Sequence, residues 1–110
     1  MIIVQAKAIP KNRESQNKII EFAQDLIKKS KEESGNIDYN LLINTDDDTL
    51  LFVEQWDSIE ILNSHLKTEH FLNFGENIAD LVVSDLEINI FDANPLVRSE
   101  ERRVGKECRS

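Results

Sequence analysis

Apolar and polar positions along the chain follow two alternating rhythms, and the change from one to the other marks the elements. Residues 2–9 alternate with period two and predict a strand, closed by Pro10, which has no N–H to give to a ladder. From about Arg13 to Glu33 the period becomes 3.6, with Ile19, Phe22, Ala23, Leu26 and Ile27 on one stripe and Asn12 as the N-cap. Gly35 then offers the left-handed residue on which helices commonly stop. Ile37, Tyr39, Leu41 and Ile43 alternate with polar residues, and after the turn 44–49 residues 50–56 return as a second strand, forming a hairpin. Asp57 with Glu60 predicts a capping box for a helix burying Ile59, Leu62 and Leu66. Thr68 predicts the cap of another short helix carrying Phe71, Phe74 and Ile78, packed with the previous one as a bent unit. Alternation resumes from Val82 to Phe91, with Leu86, Ile88 and Ile90 on one side.

The order β-α-β-β-α-β is that of the ferredoxin-like, split βαβ arrangement, an α+β fold with a four-stranded antiparallel sheet and helices on one face. The other sheet face carries large apolar side chains in part, which predicts a homodimer packed face to face through the sheets. Periodicity ends at Asn94-Pro95. Residues 1–93 therefore form the domain, and residues 94–110 form a charged tail expected to be disordered or to derive from cloning.

Charge narrows the partners. The chain carries −8, and because basic residues outnumber acidic ones from Arg98 onward, residues 1–97 carry −10. Such a surface repels nucleic acid and anionic lipid, since counterion release needs a basic face. No apolar run approaches the roughly 18 residues of a membrane span, the first residues do not resemble a secretion signal, and a cytoplasmic location is expected. The single cysteine, Cys108, has no partner for a disulfide and is expected to be an inert thiol. Asp46–Asp48 lack the glycine and distal glutamate of a calcium loop and are expected to form a solvated turn.

The stretch from Glu33 to Phe74 gathers the only Trp, the only Tyr and both His of the chain. Phe52, Glu54 and Trp56 share one face of a strand, and a carboxylate among such residues needs hydrogen-bond or charge partners. His65 is a candidate to meet Glu54, the plainer alternative being a surface pair with Glu69 one helical turn away. Tyr39, Phe52, His70, Phe71 and Phe74 are candidates for a ligand pocket, core packing being the plainer reading for Phe71 and Phe74 and a structural role the plainer one for His70. No dinucleotide, P-loop, nucleophile-elbow or zincin motif occurs. Two histidines five residues apart cannot face one ion on a regular helix, so no bound metal is expected.

Glu33-x-Gly35-x-x-x-Tyr39, Phe52-Val53-Glu54-x-Trp56 and His65-x-x-x-x-His70-Phe71 together resemble the antibiotic biosynthesis monooxygenase family, including its quinol monooxygenase-like members. The resemblance spans residues 1 to about 93 and implies a dimeric α/β-barrel with a pocket between sheet and helices in each subunit. It further implies oxidation of an electron-rich aromatic, of quinol or anthrone type, by dioxygen without metal, flavin or haem, the substrate acting as its own cofactor. On that footing His65 is the expected base, Glu54 its orienter or a structural acid, and Trp56, Tyr39 and Phe71 the walls. Haem degradation, known in the same superfamily, is disfavoured because Leu72–Asn77 supply no histidine. Isomerisation of a small signalling or sugar-like metabolite, or ligand binding without catalysis as in a stress protein, remain as alternatives.

Overall fold

The structure is a computed structural model that describes Met1–Leu96; the charged tail beyond Leu96, with Cys108, lies outside the described residues. Seven elements follow in order: β1 Ile2–Ala8, α1 Arg13–Lys31, β2 Asn36–Ile43, β3 Leu50–Trp56, α2 Ile59–His65, α3 Glu69–Ile78 and β4 Glu87–Asp92. The strands form one antiparallel sheet in the order β2-β3-β1-β4. This is the ferredoxin-like α+β fold, with α2 and α3 together in the place of the second helix.

Local chemistry explains most boundaries. The Asn12 side chain accepts the Ser15 N–H at 2.8 Å and starts α1. Thr68 likewise starts α3 by accepting the Phe71 N–H at 3.3 Å. At the start of α2 the cap is Ser58, whose hydroxyl accepts the Ile61 N–H at 3.2 Å, in place of the expected Asp57. The Asp57 N–H is instead given to the Gly35 carbonyl at 2.9 Å, tying the hairpin's end to the turn after α1. That helix stops two residues before the expected Glu33, at Lys31, because Glu32 and Glu33 bond back to Lys29 and Ser30 in a tighter turn. Gly35 then takes φ +89°, and Ile61 packs where a Cβ would stand.

Register assigns the two sheet faces. Leu50, Phe52, Glu54 and Trp56 alternate inward under the helices, opposite Ala8, Ala6, Val4 and Ile2 of β1. Trp56, Phe52, Tyr39, Ile19 and Leu62 are almost fully buried between sheet and helices, each worth roughly 1.5–3 kcal/mol of hydrophobic transfer. Phe22, at the margin of the helical stripe, stays 40 % exposed.

The last strand departs most from expectation. It begins at Glu87 rather than Val82, which forms only an isolated bridge to Pro10. Ile88 and Ile90 point to the inner face opposite Ala6 and Val4 but remain about half exposed, because α1 packs over β2 and α3, and α2 over β3. The uncovered stretch of inner face is the wall of a cavity.

Candidate functional site

That cavity measures about 560 Å³ and lies between the inner sheet face and the helix pair α2/α3. Val4, Ala6, Phe52, Leu62, Phe71, Phe74, Ile78, Ile88 and Ile90 give it an apolar lining, into which Tyr39 of β2 and Glu54 of β3 bring polar groups. Trp56, His65 and His70 do not line it.

The central strand β3 buries Glu54, which is 6 % exposed. Desolvation there opposes ionisation and pushes its carboxyl up to about 7, although hydrogen bonds from Trp56 and Tyr39 pull the other way. Trp56 Nε1–H donates to Glu54 Oε1 at 3.0 Å; two residues along one strand face, the indole and the carboxyl reach each other directly. The Tyr39 hydroxyl faces the same carboxyl, and its pKa is raised above the ordinary phenol value, first by burial and then by the charge of Glu54. A carboxyl that changes protonation near neutrality in an apolar wall is equipped to accept a proton from a bound molecule.

The second polar group lies among the same aromatics. His65 ends α2 with its ring wholly buried, its centroid 4.5 Å from that of Trp56, 5.2 Å from Phe71 and 5.7 Å from Tyr39. It does not meet Glu54 as expected, nor Glu69: its Nδ1 lies 2.7 Å from Glu33 Oε2. The same oxygen lies 2.6 Å from His70 Nε2. A carboxylate oxygen only accepts, so each ring presents an N–H to it. Burial lowers the pKa of His65 more than the Glu33 bond raises it, so the neutral ring is favoured. Its Nε2 is buried without a partner.

The two histidines converge because the helix between them is broken. The Thr68 N–H and hydroxyl both donate to the His65 carbonyl, the hydroxyl at 2.7 Å, while Thr68 also caps α3. His65 and His70 therefore sit on separate helices, and the geometric objection to their sharing an ion, which assumed one regular helix, does not hold. Glu33, His65 and His70 place one ligand atom each within 4.8 Å of one another.

Tyr39, Phe52, Trp56, Phe71 and Phe74 surround these groups as a continuous aromatic cluster, with Tyr39 edge-on to both Phe52 and Trp56 and Phe52 edge-on to Phe74. Glu33 is the member to which sequence reasoning gave no role. Its partners lie 32 and 37 residues away, and its only sequence signal is its place at the head of the Glu33-x-Gly35 motif. The acidic turn behaves as expected of a loop: Asp47 accepts from Thr49, and Asp48 takes φ 63° beside Arg13.

The described residues thus form a small ferredoxin-like domain with an apolar cavity under its helix pair and one buried acid in the cavity wall. Residues 1–77 match the family model described as antibiotic biosynthesis monooxygenase, and the chain belongs to that family. It is 32 % identical over 90 residues to the protein sll1783 of Synechocystis, a match covering 81 % of this chain and 61 % of that one, so the chain spans less than two thirds of that relative's length. It is 30 % identical over 91 residues to YcnE of Bacillus subtilis, a candidate monooxygenase, covering 80 % of this chain and 93 % of that one. A crystal structure of an antibiotic biosynthesis monooxygenase superposes with a TM-score of 0.78 at 25 % identity, covering 86 % of this chain and all of the other. A structure from Deinococcus radiodurans superposes at 0.81 with 18 % identity, covering 89 % of this chain and 97 % of that one, which is a likeness of fold. Among the described residues, no helix is long and apolar enough to cross a membrane.

Proposed function

We propose that the protein is a cofactor-independent monooxygenase that oxidises an electron-rich aromatic of quinol or anthrone type with dioxygen in the cavity above β1 and β3. The observation that carries this reading is Glu54, a carboxyl raised to about 7 in the wall of an apolar cavity.

Triplet oxygen reacts poorly with closed-shell molecules, whereas a phenolate or anthrone anion passes it one electron readily. The protein's task is then to remove one proton and hold the anion away from water. Glu54 takes the proton, and the indole N–H of Trp56 and the phenol of Tyr39 steady the carboxyl. The substrate radical and superoxide recombine to form the C–O bond. Glu54 returns its proton to the peroxide, and loss of the remaining proton from the same carbon as the O–O bond breaks leaves one oxygen on that carbon as a carbonyl and releases the other, with both protons, as water. The reading assigns the proton to Glu54 rather than to His65 because Glu54 lines the cavity, while His65 is engaged by Glu33 at Nδ1 and lines none of it.

The outer sheet face, with Ile3, Leu42, Leu51, Val53 and Phe91 and no helix over it, is read as the interface of a homodimer. Leu42 and Phe91 are each about half exposed there.

Oxygen uptake by metal-free protein with a panel of quinols and anthrones tests the reaction, with Glu54→Gln and His65→Ala run beside it. Uptake well above autoxidation, rising with pH through about 7 and lowered by roughly 10² or more in Glu54→Gln, is the expected result. Loss of uptake in His65→Ala with Glu54→Gln intact would move the base to His65. No uptake across the panel would favour isomerisation or ligand binding instead.

A further inference from the structure

Glu33, His65 and His70 come from three different elements, namely the turn after α1, the last residue of α2 and the second residue of α3. None of the three lines the cavity, and the proposed reaction has no use for their convergence. One carboxyl oxygen held by two imidazoles, with the three ligand atoms within 4.8 Å, is a donor set in search of a charge to share. We propose that Glu33, His65 Nδ1 and His70 Nε2 form a site for a divalent first-row transition metal, with Zn²⁺ as the probe.

The chemistry of the donors selects the class of ion. Two imidazole nitrogens and one carboxylate suit Zn²⁺, Co²⁺, Ni²⁺ or Fe²⁺, whereas Mg²⁺ and Ca²⁺ take oxygen ligands. An ion about 2.0–2.1 Å from each donor needs them about 3.4 Å apart, so the 2.6 and 2.7 Å separations must open by somewhat under 1 Å. The means to open are present on one side. The His65 side chain is 1 % exposed and fixed among aromatics, while those of Glu33 and His70 are 17 % and 15 % exposed and front the solvent. The same exposed edge admits the waters that complete four- or five-fold coordination. Charge argues in the same direction: among the described residues the Glu33 carboxylate has no Lys or Arg partner, only the two imidazoles, and a dication would supply the missing positive charge. Bound there, the ion would pin α1 to α2 and α3 without entering the cavity.

The test is calorimetric titration of Zn²⁺ into the full chain carrying Cys108→Ser, which removes the one thiol that could bind zinc on its own. His65 and His70 are the only histidines of the chain, so binding through imidazole has one possible origin. Glu33→Gln and His70→Ala are the comparison variants, with circular dichroism to establish that each is folded. The expected result is one Zn²⁺ per chain at micromolar affinity or tighter, a rise in Tm of several degrees, at least ~10-fold weaker binding in each variant, and a tetrahedral or five-coordinate visible spectrum with Co²⁺. Absence of binding below about 100 μM, or binding indifferent to both variants, would overturn the site and leave the three residues as a hydrogen-bonded brace.

Discussion

Replacing Glu54 by Gln should make the protein more stable at alkaline pH while impairing the proposed reaction, and the size of the gain follows from its ionisation. Its pKa rises from 4.5 to about 7 on folding, chiefly through burial. A group whose folded pKa lies above its unfolded one leaves stability intact below the unfolded value and removes it as pH rises through the folded value. With those two constants, linkage gives a loss of about 3 kcal/mol by pH 8, against less than about 1 kcal/mol at pH 5. Glutamine keeps the shape and an oxygen to accept the Trp56 N–H, and it cannot ionise. Urea unfolding of both proteins at pH 5 and pH 8, at one fixed protein concentration, isolates the group, because every other titration is common to the two. The variant's stability relative to the wild type should rise by on the order of 2 kcal/mol between the two pH values. A difference that does not change with pH, or one that moves against the variant as pH rises, would refute the assignment of a strained, ionisable Glu54.

Two further outcomes follow from the fold. Gly35→Ala would place a Cβ 2.8 Å from Ile61 Cγ2 at φ +89°, and should cost about 1–3 kcal/mol, seen as a fall in Tm on the order of 10 °C. Size-exclusion chromatography with light scattering at micromolar concentration should give a dimer, and Val53→Asp, a charge at the middle of the outer sheet face, should give a monomer. A wild-type monomer would remove the sheet face as an interface.

Local signals in the chain predict local structure well. Asn12 and Thr68 cap helices because a side-chain oxygen three residues before a free N–H needs nothing distant to form its bond. At Asp57-Ser58 two adjacent residues could both cap, and the bond formed is that of Ser58, while the Asp57 N–H reaches the Gly35 carbonyl across the fold. The reach of β4 was equally dependent on distant structure: Val82 has the right periodicity, but it meets the chain beyond the end of β1, at Pro10, which has no N–H to extend the ladder. In the site, the face shared by Phe52, Glu54 and Trp56 follows from period two alone. The partner of His65 does not, since pairing with Glu33 depends on where α1 ends and on the break at Thr68, neither of which periodicity encodes.

Trp56 is the only tryptophan of the chain, and its indole N–H is bonded to a carboxyl raised to about 7. The protein thus contains its own optical electrode: emission from that single fluorophore is expected to follow whether its neighbour is charged, without label or substrate. A pH titration of the unmodified chain by fluorescence would read the acid's ionisation directly, and a ligand that buries or deprotonates the acid would displace the curve in opposite directions.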